Sequence, residues 1–238
     1  MNSVTINGIS SDTVRLRFDK LPLIPAAKER TNTYAIPGAG QDMTLPTGDY
    51  DDISMTLTAY LVGGTTIQDV YDWIRGGDKI TLTTQPNIYG VIKSVGEIAP
   101  SRVGWDAHEI DIPLILSPFK YRIANDAVTI TDNPEQLRTI GNLYSFAEWT
   151  LGGTSGDVTF SVNGVTLEIE DAPDNIHIDT ETQTVYTINQ NNVKESIMSS
   201  TTGDFWKMVL VPGDEALNVI EWSGTVGSVS VVKNERWV

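Results

Sequence analysis

The sequence contains no cysteine. That absence removes zinc ribbons, iron–sulfur clusters, thiol nucleophiles and any disulfide framework, and it leaves the redox compartment open. Positive charge is scarce: 16 Lys and Arg stand against 31 Asp and Glu, a formal net charge of −15. Nucleic-acid binding depends on cations that neutralise phosphates, so this balance argues against a DNA or RNA reader. Long apolar runs are also missing. The stretch Ile112–Leu116 is short and broken by Pro113, whereas a membrane span needs about 20 apolar residues, so no membrane insertion is expected. The opening MNSVTINGIS has neither the basic start nor the apolar core of a signal peptide, and the expectation is a chain made in a cytoplasm that stays soluble.

Sequence signs of enzyme chemistry are equally thin. There is no phosphate loop of the GxxxxGK type, no GxSxG elbow and no dinucleotide GxGxxG. The glycine-rich Gly152–Gly156 does not join a strand to a helix and reads as a turn. The two histidines, His108 and His177, lie in different halves, and a metal site usually wants three or four converging ligands. No catalytic residue, metal site or cofactor is assigned.

What is present is the composition of an ordinary folded protein, 40% hydrophobic and 20% charged over 238 residues. This length suits one large domain or two smaller ones. Charge is split unevenly. Residues 1–122 carry 11 basic and 14 acidic side chains, and residues 123–238 carry 5 and 17. The polar segment Asn125–Gly141 lies where the balance changes, which suggests domains of 1–124 and 125–238 with surfaces of different purpose.

In the first half, Ser54–Tyr60 alternates Met55, Leu57 and Ala59 with Ser54, Thr56 and Thr58, the period of a half-buried strand. Thr81–Thr84, Tyr89–Val95 and Ile110–Leu116 read as further strands, separated by Gln85-Pro86-Asn87 and by the loop around Pro100. Thr66–Gly77 has the helical period instead, with Ile67, Val70, Tyr71 and Ile74 on one face. Thr66 and Asp69 suit its N-terminal cap, and Gly76-Gly77 its stop. Leu21–Tyr50 carries four prolines and the glycine pair Gly38 and Gly40, together with Tyr34, Ile36, Leu45 and Tyr50. Proline disfavours a central strand, and loops of this length in compact domains are usually functional or disordered. Composition alone fits two readings, an extended arm that packs on a neighbour or a long hairpin closed on its own domain.

The second half reads as all β. Val158–Glu170 places Asn163-Gly164, the preferred type I′ pair, between two alternating strands. Val158, Phe160, Val162, Val165, Leu167 and Ile169 face one side, and Thr159, Ser161, Thr166, Glu168 and Glu170 face water. Asn175–Asp179, Val185–Ile188, Phe205–Val211, Leu217–Trp222 and Val226–Val232 repeat the pattern, with turns at Pro212-Gly213-Asp214 and Ser223-Gly224. About seven short strands so spaced mean a β-sandwich. Trp149, Trp206, Trp222 and Trp237 suit core packing for the most part, while an exposed one could stack on a sugar. The acids Asp51-Asp52 and Glu168–Asp174 lack the spacing of a carboxylate pair or a calcium loop. Carbohydrate binding through the second half is the alternative reading, and carboxylate hydrolysis a distant third.

Taken in order, these segments resemble a known family. INGISSD at Ile6–Asp12, LPLIPAAKER at Leu21–Arg30, IPGAG, GDYDDI, DVYDWIRGGDKITL and LSPFKYR are similar to the N-terminal domain of phage distal tail proteins. NIHIDTETQTVY, GDFWKMVLVPG, NVIEWSGTV and the final RWV resemble that family's C-terminal galectin-like sandwich. The resemblance implies a mainly β protein with two parts. One is a ring-forming, tail-tube-like N-terminal β-sandwich or barrel-like domain with one α-helix and an extended arm. The other is a galectin-like β-sandwich. It further implies a structural, non-enzymatic virion protein, a sixfold ring at the distal end of a tail. Its partners would be copies of itself, the tail tube protein, a tail-tip fibre or tail-associated lysin protein, and receptor-binding or baseplate proteins. With only 238 residues the chain is the short form, without an inserted carbohydrate-binding module. Under this reading the arm residues Ile36, Pro37, Leu45 and Tyr50 are the candidate ring contact.

Overall fold

The computed structural model describes residues 2–38, 40–103, 108–213 and 217–238. Two members of the motifs above, Ala39 of IPGAG and Asp214 of the Pro212-Gly213-Asp214 turn, lie outside the described residues. The fold is mainly β, with a sheet curled into a half-barrel. The chain divides into two compact units, residues 1–123 with 238, and residues 124–237.

The first unit is built on one antiparallel sheet. Its strands are β1 (Val4–Ile6), β2 (Ile9–Ser10), β3 (Leu16–Arg17), β6 (Ile53–Leu61), β7 (Lys79–Leu82), β8 (Ile88–Val95), β9 (Ala99–Arg102) and β10 (His108–Arg122). They run in the order β2-β1-β7-β8-β10-β6-β3, and β9 pairs with the start of β10. In β6 the predicted alternation holds: Met55, Leu57 and Ala59 are buried and Ser54, Thr56 and Thr58 exposed. β7 begins two residues before the expected strand. β10 runs well beyond Ile110–Leu116, through Ser117-Pro118, because β6 covers its first half and β8 its second. The loop expected around Pro100 is instead the strand β9. Its backbone pairs with β10 while all four of its residues stay exposed, an edge position that tolerates proline.

The helix α1 (Ile67–Ile74) starts and stops as its ends predict. Thr66 caps it, and a reciprocal bond from the Asp69 carboxylate completes the capping box. Bonds from the Thr66 backbone and hydroxyl hold the Asp69 carboxyl below its usual range. Gly76 takes the left-handed stop at φ +74°. The buried face differs from the predicted one. Val70, Trp73 and Ile74 are buried, while Ile67 and Tyr71 are exposed. The indole of Trp73 donates to the Ile9 carbonyl at 3.0 Å, so the helix is oriented by its largest side chain.

The second unit packs two antiparallel sheets face to face, as a sandwich requires. One has the order β11 (Val128–Ile130), β23 (Ser228–Val232), β14 (Glu148–Gly152), β17 (Ile176–Asp179), β18 (Thr184–Ile188), β19 (Lys194–Ser196). The other runs β12 (Glu135–Leu137), β22 (Asn218–Thr225), β15 (Ser155–Val162), β16 (Val165–Ala172), β20 (Thr201–Gly203), and β13 (Ser145–Phe146) pairs separately with β21 (Val209–Leu210). Trp149 and Leu151 from the first sheet meet Val158, Phe160 and Ile220 from the second, and Trp149 stands edge-on to Phe160 at 5.1 Å.

The Asn163-Gly164 turn has φ of +54° and +77°, the type I′ signature. Several expectations in this unit need correction. The polar segment Asn125–Gly141 supplies β11 and β12, anchored by buried Ile130 and Leu137. Ser161, expected to face water, is buried. Phe205–Val211 is not one strand but a 3-10 turn at Phe205–Lys207 followed by β21. Ser223-Gly224 is no turn; β22 continues through it to Thr225.

Candidate functional site

The arm is a β-hairpin, β4 (Glu29–Ala35) and β5 (Asp42–Tyr50), which among the described residues pairs only with itself. Every residue of β4 is exposed, and β5 is exposed up to Tyr50. It is therefore a hairpin, as one of the two readings has it, yet it is not folded down onto its own domain. Pro46 is accommodated opposite Thr31, beside a register shift in the ladder.

Its root is fixed by polar contacts. The Ile24 amide donates to Gln85 Oε1 at 2.7 Å, the Thr84 hydroxyl to the Pro22 carbonyl at 3.3 Å, and Lys120 Nζ to the Pro25 carbonyl at 3.2 Å. On the return strand Asp51 pairs with Arg30 at 2.7 Å and Asp52 with Lys93 at 2.5 Å. Ile24 itself is buried. These two acids serve as ion-pair partners at the hairpin's base.

Beyond the root the hairpin has two faces. The cross-strand pairs Asn32–Leu45 and Tyr34–Met43 lie on one side, and Thr31–Pro46, Thr33–Thr44 and Ala35–Asp42 on the other. Tyr34 (54% exposed), Ile36 (46%), Met43 (46%) and Leu45 (43%) present apolar surface to solvent. A two-stranded hairpin alone is marginally stable in water, and exposed apolar patches of this kind mark interaction sites. Of the four predicted contact residues, Ile36, Pro37 and Leu45 are exposed on the distal arm. Tyr50 is different: it is half-buried and packs edge-on against Phe119 of β10 at 5.8 Å, so it belongs to the root. Tyr34 and Met43 share the apolar face with Leu45. Met43 in particular was hidden by its Asp and Thr neighbours, although period-two alternation from Leu45 would have found it.

The remaining candidates do not converge. His108 is exposed in the first unit; His177 lies in the second, stacked on Tyr186 at 5.1 Å with Thr150 at 3.2 Å from Nδ1. No group of three or more metal-binding side chains occurs among the described residues. In the 168–174 segment, Asp157 Oδ1 accepts from the Asp171 amide, which is turn chemistry. Of the tryptophans named for the second half, Trp149 is buried, and Trp222 pairs with Phe160 across the ladder on the inner face. Trp206 is 42% exposed on the 3-10 turn, where a strand was expected, with Lys207 6.0 Å above its ring.

No family model matches the sequence, and no curated protein matches it. A solved structure does match, that of the SPP1 Dit protein, described as a paradigm of the hub adsorption apparatus in phages that infect Gram-positive bacteria. It superposes with a TM-score of 0.71 over 100% of both chains at 14% identity. The two chains share one fold. The likeness to SPP1 Dit runs through both units in order, and at this identity it is a likeness of architecture.

Proposed function

We propose that the protein is a structural hub of a phage tail, a hexameric ring at the distal end that joins the tail tube to the tail-tip or baseplate apparatus. The observation that carries this reading is the full-length likeness of fold to SPP1 Dit. The exposed, apolar-faced arm supports it, since such an element gains its stability from a partner surface. In this reading residues 1–124 form the ring, and the acidic residues 125–238 project outward to dock receptor-binding or baseplate proteins. The axial partners are the tail tube protein on one side and a tail-tip fibre or tail-associated lysin protein on the other. The protein acts in the virion, assembles in the host cytoplasm, and carries out no catalysis.

The test is molar mass by light scattering across a concentration series, with negative-stain images of each peak. A closed six-subunit ring with an open centre is the expected outcome. Ile36→Ser with Leu45→Ser should give a folded monomer. If that double variant assembled like the parent, the arm would not be the ring contact. The sugar-binding alternative rests on Trp206 and predicts glycan-array binding that Trp206→Ala abolishes; an array without signal removes it.

A further inference from the structure

The second unit's sheet β12-β22-β15-β16-β20 is one-sided in charge. Its strands carry Glu135, Asp157, Glu168, Glu170, Asp171 and Glu221 and no Lys, Arg or His. On its outer face lies a cavity of about 400 Å³ whose lining includes Asn133, Thr159, Ser161, Thr166, Glu221 and Ser223. The ladder assembles these side chains. Ser161 stands opposite Glu221 on one side and Thr166 on the other, and Thr159 stands opposite Ser223. Asn133 closes the rim, its Nδ2 donating to the Trp222 carbonyl at 2.7 Å and its Oδ1 accepting from the Trp222 amide at 3.3 Å. The floor is a hydroxyl without a partner. Ser161 alternates with the inward-facing Phe160 and Val162, so it points into the cavity, yet it is only 9% exposed. Among the described residues its Oγ makes no hydrogen bond, and neither do the hydroxyls of Thr159, Thr166 and Ser223.

We propose that this cavity receives an arginine side chain of a basic partner protein docked on the outer face of the sheet. The choice of a protein occupant rests on the docking role proposed above for residues 125–238. The choice of chemistry rests on the cavity. A buried hydroxyl left unpaired costs free energy, so a ligand that brings donors is favoured there. The hydroxyl oxygens can accept, and an ionised Glu221 can do nothing else. A guanidinium is the complement: five donors in a planar fork, no acceptor, and a permanent positive charge. It can bind the Glu221 carboxylate through two parallel bonds while its remaining donors meet the hydroxyls. The surrounding acids attract it over a longer range. A saccharide gains nothing from those acids, and it would find no aromatic face, since Trp222 turns inward with Ile220.

The test uses the full-length chain and the tripeptide acetyl-Gly-Arg-Gly-amide, followed by saturation-transfer NMR, which serves monomer and ring alike. Glu221→Gln should weaken binding about tenfold, the scale of one charge-assisted hydrogen bond. Ser161→Ala should weaken it as well. Glu170→Gln removes the same charge from the same sheet outside the cavity and should leave binding within about twofold. The melting temperature should be unchanged in all three. The neutral isostere with citrulline in place of arginine should not bind. Equal binding by the parent and Glu221→Gln, or by the two peptides, overturns the proposal. So does a chain indifferent to the arginine peptide that binds N-acetylglucosamine and loses it in Glu221→Gln, which gives the cavity to saccharides. Light scattering on the same samples separates this assignment from the hub. Rings that ignore the peptide overturn the socket and leave the hub standing. Monomers that bind it with this pattern of variants support the socket and count against the ring.

Discussion

The surroundings of His177 bias its protonation. Burial lowers its pKa from the usual 6.5, Lys194 lowers it further, and Glu148 acts weakly the other way. The geometry explains the order: the ring is sandwiched between strands, with Tyr186 on its face and Lys194 lying 4.2 Å from the centre of that tyrosine's ring. The unfolded chain therefore binds a proton at a pH where the folded chain still refuses it. Stability must rise with pH across that interval. Melting temperature should fall as pH drops below about 6.5 and level off below the folded value. His177→Asn should flatten that part of the curve, and Lys194→Met, by raising the folded value, should make the fall smaller and level it off at a higher pH. A profile of melting temperature against pH for the three proteins checks this. Lys120 is buried, and burial lowers its pKa. Its bond to the Pro25 carbonyl makes it a strut for the arm's root rather than a reactive group.

At the scale of elements, Gly224 shows how a local pattern misleads. The dipeptide Ser223-Gly224 carries turn chemistry, yet β22 passes straight through it. Gly224 adopts φ +92°, and a Cβ there would meet the Asp157 carbonyl oxygen at 2.3 Å. The glycine thus lets two strands approach at the bulge in β15 rather than reverse the chain. Gly224→Ala should cost more than about 1 kcal/mol, since both the backbone angle and the space oppose it. Denaturant titration should register a lower midpoint with an unchanged slope. Elements whose signals are local were legible in the sequence. The alternation of β6, the Asn163-Gly164 hairpin and the Thr66–Asp69 cap each depend on residues within a few positions of one another. The face of α1 was misjudged because Trp73 is claimed by Ile9, distant in sequence. The strand expected over Phe205–Val211 failed for a related reason. Phe205 is buried against the sandwich core while Trp206 is left exposed, a split that the even run of apolar residues could not reveal. The arm's composition marked it as unusual and placed Ile36 and Leu45 on it. Its state as an exposed hairpin was beyond reach, since what covers that face belongs to no nearby residue.

For the whole molecule the governing quantity is charge. Each chain carries −15, most of it from residues 123–238. In a ring, copies of that acidic half are brought to neighbouring positions, and their repulsion opposes closure. The proposed arm contact is mainly apolar, so salt acts chiefly by relieving repulsion among the many carboxylates. Screening lengths shrink from about 30 Å at 0.01 M to about 8 Å at 0.15 M, a range that spans the spacing of neighbouring small domains. Self-association measured by sedimentation should therefore tighten as salt rises over that interval. Association that loosened with salt would mean that ionic contacts, and not the apolar face of Tyr34, Met43 and Leu45, hold the copies together.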